Sequence, residues 1–142
     1  CYSDLPVLEA GRAVCCHSDG WILEIIDDLI EIGVKLLNPQ HEIMGTRRVG
    51  DLVRGRICVC TDIDRQGTIP FGTPERIEAE VKRAIAAFSG TRGGRDGGVM
   101  LHGEIGPDVP LRNIEALYAS FHRLGRYPLA WLPEHLAGAG GR

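Results

Sequence analysis

Ten polar side chains follow directly on four short apolar stretches of the chain, and most of them are histidines or acids. In chain order they are His17, Asp19, Asn38, Gln40, His41, Glu42, Asp62, Asp64, His102 and Glu104. Histidine and carboxylate groups commonly move protons in enzymes, and they also bind metal ions. The set therefore indicates acid–base or metal chemistry.

Four repeats of a strand and a helix must position these side chains. The apolar stretches are predicted strands at 13–16, 34–37, 57–60 and 99–101. Segments with helical spacing follow at 21–32, at 43–53, after Thr73 and after Pro110. Such repeats predict a parallel sheet with right-handed crossovers. The carboxyl ends of parallel strands share one edge, and ligands bind at that edge in such folds.

Local signals set the expected helix boundaries. Ser18 or Asp19 is expected to cap the first helix, and Gly33 is expected to end it. Thr73-Pro74-Glu75 predicts a strong helix start, because it combines a capping hydroxyl, a proline at the first helical position and an acid in the first turn. Two glycines weaken the helix prediction for 43–53.

Several of the polar residues also have a purely structural explanation. Asp62 and Asp64 could hold the backbone of a turn by accepting hydrogen bonds from its amides. The pair His41-Glu42 is expected to lie in a solvated loop. His17 and His102 are stronger functional candidates, because each stands where a predicted strand meets the site.

The composition restricts the classes of partner. The 142 residues include 16 Lys and Arg against 19 Asp and Glu, a net charge of −3. This balance argues against a broad surface for nucleic acid or for an anionic membrane. No apolar run approaches the roughly 20 residues of a membrane span. The five cysteines lack the spacing of a structural zinc site, and they predict small buried side chains in a cytoplasmic protein.

Two architectures fit four strand–helix repeats. One is an open, doubly wound sheet, and the other is part of an eight-stranded barrel. Periodicity alone does not choose between them. No phosphate-binding glycine signature follows a predicted strand, so no dinucleotide cofactor is expected.

Three sequence blocks, in order, resemble the uroporphyrinogen decarboxylase superfamily. The first is His17-Ser18-Asp19-Gly20, followed by Asp-Leu-Ile-Glu-Ile-Gly and Leu-Asn-Pro. The second is Asp62-Ile63-Asp64-Arg65-Gln66 with Ile69-Pro70-Phe71-Gly72-Thr73-Pro74-Glu75. The third is Gly106-Pro107-Asp108-Val109-Pro110 with Asn113-Ile114. Their order and spacing agree over about residues 5–125, which makes the resemblance specific.

The resemblance implies the C-terminal half of a (β/α)8 TIM barrel, with four parallel βα units over 1–125 and a partly disordered tail over 126–142. It also implies decarboxylation of a carboxylated tetrapyrrole without a cofactor or metal. Protonation of a pyrrole makes an electron sink, CO2 leaves, and a second protonation gives the methyl group. Asp19, Asp62 and His102 would line the pocket mouth and orient the substrate or shuttle protons.

A second branch of the same superfamily consists of zinc-dependent methyltransferases, which use a corrinoid-linked methyl donor and a thiol substrate. In this alternative the zinc ligands are His17 and Asp19. The third ligand position falls on Gly103, which has no side chain, so His102 or Glu104 would have to replace it. The decarboxylases have a histidine at the position of Gly103, so the chain departs from both branches there.

A third alternative is that the chain is not an active enzyme alone. Four strands cannot close a barrel, so two edge strands and an apolar inner face are expected to be exposed. The chain is therefore expected to form a homodimer, to pair with a missing N-terminal half, or to be a non-catalytic fragment.

Overall fold

Strands and helices alternate along the chain in the computed structural model, which describes residues 5–90 and 98–132. The strands are β1 (Val14–Ser18), β2 (Val34–Pro39), β3 (Cys58–Cys60) and β4 (Val99–Met100). The helices are α1 (Leu5–Glu9), α2 (Ile26–Glu31), α3 (His41–Met44), α4 (Thr46–Val53), α5 (Thr68–Phe71), α6 (Pro74–Phe88) and α7 (Leu111–Leu124), with a 3-10 turn (Leu23–Ile25) before α2. Within the described ranges, no helix has the length and apolar character needed to cross a membrane.

All four strands are parallel, and they lie in the sheet in the order β1-β2-β3-β4. The predicted α/β class with a parallel sheet is confirmed. Leu37 of β2 pairs with Cys16 of β1 and with Val59 of β3. The same register sets His17 beside Asn38. The polar residues that follow the strands therefore start from one edge of the sheet.

The two faces of the sheet differ in what covers them. Leu37 and Val59 are fully buried in a core that includes apolar side chains of α2, α4, α6 and α7. Because side chains alternate along a strand, their neighbours point to the opposite face. That face, called the open face below, carries Cys15, Leu36, Cys58, Cys60 and Met100. Cys60, the last residue of β3, is buried, but the other four are exposed or half-buried. In the described part of the chain the helices therefore cover one face of the sheet.

Helix α6 begins where Thr73-Pro74-Glu75 predicts. The Thr73 hydroxyl oxygen accepts a hydrogen bond from the Arg76 amide, and Pro74 occupies the first helical position. Ile77, Val81 and Ile85 then lie buried on one face of the helix. This helix fixes the end of the long loop that leaves β3.

The start of the first connecting helix differs from the prediction. Neither Ser18 nor Asp19 caps it, because neither the 3-10 turn nor α2 has a side-chain cap. Ser18 Oγ instead accepts a hydrogen bond from the Gly20 amide (3.1 Å) and tightens the turn after β1. The end of α2 agrees with the prediction. Gly33 follows the helix with a φ of 98°, a conformation that favours glycine.

Gly45 divides the helix predicted over 43–53. Its φ of 85° is left-handed, so α3 ends before it and α4 begins after it. Helix α3 starts at His41, ahead of the predicted boundary. The short helices α1 and α5 have no periodicity to predict them, because each spans little more than one turn.

Residues at the start of the predicted tail 126–142 pack against the core. Leu129 and Leu132 are buried. Trp131 Nε1 donates a hydrogen bond to the Leu124 carbonyl at the end of α7 (2.8 Å). The remainder of the tail, 133–142, lies outside the described residues.

Gly50 of α4 is expected to tolerate no side chain. A Cβ there would lie 2.5 Å from the Ala87 carbonyl oxygen of α6. Alanine inside a helix is about 1 kcal/mol more favourable than glycine, but overpacking costs about 1–3 kcal/mol. We expect Gly50→Ala to lower the free energy of unfolding in urea. Gly20→Ala is the control, since its Cβ meets nothing nearer than 3.5 Å. An unchanged stability of Gly50→Ala would contradict the close contact of α4 and α6.

Candidate acid–base site at the carboxyl ends of the strands

Arg65 links the two outer strands at the carboxyl edge of the sheet. Its Nη2 lies 3.0 Å from Asp19 Oδ1, which follows β1. Its Nη1 pairs with the carboxylate of Glu104, which follows β4. Arg65 itself belongs to the loop after β3. A guanidinium presents several donors in one plane, so a single side chain holds both carboxylates over the sheet edge.

His17 is oriented by Asn38. The Asn38 amide donates from Nδ2 to the Cys60 carbonyl (3.0 Å), and its Oδ1 faces His17 Nδ1 at 2.8 Å. An amide oxygen only accepts, so His17 Nδ1 carries a hydrogen and donates it. The other ring nitrogen, Nε2, lies 3.5 Å from Asp19 Oδ1. The hydrogen bond to Asn38, together with the negative charge of Asp19, raises the pKa of His17.

Asp62 is a buried acid at the end of β3. It is 4% exposed, and its Oδ1 has no hydrogen-bond partner among the described residues. Burial raises the pKa of Asp62, and the negative charge of Asp19 adds to this effect. Positive charge on Arg65, His41 and His102 opposes it. Asp62 therefore keeps its proton to a higher pH than an ordinary aspartate and is the best candidate for a proton donor.

His102 stands at the end of β4 on a fixed backbone. The buried Thr61 hydroxyl accepts a hydrogen bond from the His102 amide (2.8 Å) and donates one to the His102 carbonyl (2.8 Å). The His102 residue is exposed, and its ring lies near enough to Asp62 to affect the pKa of that acid. His102 can therefore exchange protons with solvent or with a bound molecule beside Asp62.

Asp64 has a structural role, as one of the two explanations for it anticipated. Its carboxylate accepts hydrogen bonds from the amides of Gln66, Gly67 and Thr68. Burial favours the neutral acid, but these hydrogen bonds outweigh it and lower the pKa of Asp64. The turn that they hold contains Arg65, so Asp64 supports the site through the backbone of that residue.

His41 and Glu42 are not solvated loop residues, and that expectation is wrong. His41 is completely buried, and Glu42 is half-buried. The apolar spacing of α3 is too short to reveal this, because the helix has only one turn. Both residues belong to a polar network that also contains Thr46, Glu80 and Arg83.

Sequence reasoning missed two members of the site, Arg65 and Asn38. Arg65 is a single base that directly follows the acidic run Asp62-Ile63-Asp64 after a strand, and a base at such a place is the signal that points to it. The sequence places Asn38 at a strand end but indicates no role for it. Its role depends on the register of β1 and β2, which sequence periodicity does not determine.

The side chains present do not fit the zinc alternative. His17 and Asp19 lie side by side, as that alternative requires. Gly103 packs closely instead, since a Cβ there would lie 2.9 Å from a methyl group of Leu117. No three His, Cys, Asp or Glu side chains within 5–90 and 98–132 are grouped so that they could hold a metal ion.

Comparisons with known proteins found no match. No protein-family model matches the chain, and neither a curated protein nor a solved structure is significantly similar to it. The resemblance to the uroporphyrinogen decarboxylase superfamily stays a prediction from three sequence blocks. A function must therefore be argued from the geometry of the site.

Replacing Asn38 with leucine is expected to lower the pKa of His17. The substitution removes the acceptor for Nδ1, which is the main cause of the raised value. Asn38→Asp should raise the pKa further, because it keeps an acceptor and adds a negative charge. Titration of the histidine ring signals by nuclear magnetic resonance measures both, and His122 on α7 serves as the internal control. Equal His17 titration in wild type and Asn38→Leu would contradict the hydrogen bond.

Proposed function

We propose that the chain is a uroporphyrinogen decarboxylase-like carboxy-lyase that removes CO2 from a carboxylated tetrapyrrole. The observation that carries this proposal is the buried Asp62, whose pKa is raised and which lies among Arg65, His102 and Asp19. Decarboxylation of this kind begins with protonation of a pyrrole ring, so it needs a positioned proton donor. Burial raises the pKa of Asp62 and favours its protonated form, which suits Asp62 to this role.

The order of the strands supports the C-terminal half of a (β/α)8 barrel. In a doubly wound sheet the strand order reverses, and helices cover both faces. Here the spatial order of the strands is the chain order, β1-β2-β3-β4, so each new strand extends the sheet in the same direction. Right-handed crossovers in a constant direction leave all helices on one face, as they do in a barrel. The open face would then be the barrel interior.

The proposed reaction is a series of proton transfers. Asp62 adds its proton to a pyrrole ring carbon, which makes the ring an electron sink. The bond to the side-chain carboxylate then breaks, CO2 leaves, and the bonding electrons move into the ring. A second proton adds to the exposed methylene to form a methyl group, and the first proton leaves the ring carbon. Asp19 and His102 orient the substrate and exchange protons with it at the pocket mouth.

Asp62→Asn is expected to reduce decarboxylation by a factor of about 10²–10⁴, the usual contribution of a positioned proton donor. The assay incubates the purified chain with uroporphyrinogen and separates the oxidised porphyrins by the number of carboxylates. Asp28→Asn, on the exposed surface of α2, is the matched control and should leave the rate unchanged. An undiminished rate in Asp62→Asn would refute its role. Absence of any product from folded, assembled wild type would refute the proposed function.

We also infer that a second copy of the chain covers the open face. In the described residues, β1 and β4 are the edges of the sheet, and each pairs with one neighbour. A copy rotated by half a turn about the barrel axis would bring its β1 beside β4 and its β4 beside β1. The result is a closed ring of eight parallel strands, which removes both edges and buries the open face.

The inferred homodimer predicts a solution mass twice that of the chain in analytical ultracentrifugation. Leu36→Lys together with Met100→Lys puts two charges on the open face and should shift the protein to monomer. Leu111→Lys, at a position that is 70% exposed on α7, is the control and should remain dimeric. A monomeric wild type that unfolds cooperatively would refute the dimer.

A further inference from the structure

A cavity of about 290 Å³ lies where α3 and α4 meet α6. It is called the arginine cavity below, and it is lined by Glu42, Gly45, Thr46, Arg47, Arg48 and Arg83. Its volume is close to the lower limit of the roughly 300–1,000 Å³ that is usual for small-molecule sites. The cavity therefore has room for one small molecule.

Two of the three arginines in this cavity have no counter-charge. Arg47 and Arg48 are exposed, and neither forms an ion pair within residues 5–90 and 98–132. The third, Arg83 of α6, donates from Nη2 to Glu42 Oε2 (3.0 Å) and to Glu80 Oε1 (2.8 Å). Two guanidinium groups thus remain available to a bound anion, and a third is shared with the acids beside it.

The acids beside Arg83 do not cancel the positive charge of the cavity. Burial favours the neutral form of Glu42, but its hydrogen bonds outweigh this effect and lower its pKa, so Glu42 is ionised. Burial and the neighbouring Glu42 raise the pKa of Glu80 to about 7, so Glu80 carries only part of a charge at neutral pH. Three guanidinium charges therefore face one full and one partial negative charge. A phosphate monoester carries about −1.5 to −2 charges at pH 7, which suits this excess.

The two unpaired arginines stand where a helix disfavours positive charge. Helix α4 begins at Thr46, so Arg47 and Arg48 lie in its first turn, which contains no acid and has no side-chain cap. The N-terminal end of a helix is itself positive and repels basic side chains. Arg48 nevertheless lies against this end, since its Cδ is 3.5 Å from the position that a Cβ on Gly45 would occupy. An anion in the cavity would remove this unfavourable concentration of positive charge.

We propose that the arginine cavity binds the phosphate group of a small phosphorylated molecule. The proposal is independent of the proposed decarboxylation, because no residue of the cavity takes part in that reaction. A guanidinium presents pairs of N–H donors that match two phosphate oxygens at once. Arg47 and Arg48 supply the free guanidinium groups, and Arg83 adds a third from the facing helix. A carboxylate has fewer oxygens and a single charge, so it satisfies fewer of these donors than a phosphate does.

A titration with inorganic phosphate at pH 7, followed by the amide signals in nuclear magnetic resonance, tests the proposal. With ionic strength held constant by sodium chloride, the amide signals of Arg47 and Arg48 should shift and reach saturation. Arg48→Gln removes the charge but keeps most of the side chain, and it should weaken phosphate binding about tenfold. Arg112→Gln is the matched control. Arg112 is also exposed in the first turn of an uncapped helix, α7, but lies outside the cavity, so its loss should leave the affinity unchanged.

Thermal unfolding separates a ligand site from arginines that only stabilise the fold. Without phosphate, the double variant Arg47→Gln with Arg48→Gln should have a Tm equal to or above that of the wild type, because positive charge leaves the helix end. Added phosphate should raise the Tm of the wild type and leave that of the double variant unchanged, because binding stabilises the folded chain. A double variant that is less stable without phosphate and is stabilised by phosphate as much as the wild type would contradict the proposal.

Three results of the titration would overturn the proposal. One is equal phosphate affinity in the wild type and in Arg48→Gln. Another is an equal response of the first turns of α4 and α7, which would show that any helix end attracts phosphate. The third concerns the organic part of the ligand. Glycerol phosphate should bind at least as tightly as inorganic phosphate, and its exclusion from a cavity that binds inorganic phosphate would overturn the assignment to a phosphorylated molecule.

Discussion

Carboxylates from three different strand ends meet at one edge of the sheet, and the guanidinium of Arg65 is the charge that allows them to do so. Carboxylates of like charge repel one another when no cation lies between them. Arg65 pairs with Asp19 and Glu104, which come from the two outer strands. Its charge also limits the rise in the pKa of Asp62. Both the shape and the acidity of the site thus depend on this side chain.

Much of the fold follows from simple patterns in the sequence. Short apolar stretches predict the four parallel strands, because a strand in the middle of a parallel sheet needs little polar surface. Thr73-Pro74-Glu75 predicts the start of α6, because capping is a local interaction between a side chain and a nearby amide. Ser18 and Asp19 show the limit of such reasoning. Both are good capping residues, but one turns back to its own loop and the other pairs with Arg65.

The parts of the site that sequence reasoning missed depend on contacts between distant segments. His41 and Glu42 come just before the helix predicted over 43–53, and nothing local indicates that Phe88 of α6 packs against the histidine. Arg65 pairs with Asp19, which is 46 residues away in the sequence, and with Glu104, which is 39 residues away. Asn38 meets His17 only because the register of β1 and β2 sets the two residues side by side. Local periodicity predicts where these side chains leave the backbone, but only the folded sheet determines which atoms they meet.

The open face connects assembly to the chemistry of the site. Asp62 is buried at the carboxyl edge of the sheet, whereas His17, Asp19 and Glu104 are largely exposed. In water the exposed pair of Arg65 with Glu104 contributes little, because the solvent screens it. A second copy across the open face would exclude solvent from the same edge and strengthen each of these interactions. Closure of the barrel would then do more than bury apolar surface, since it would raise the electrostatic contribution of the groups that surround Asp62.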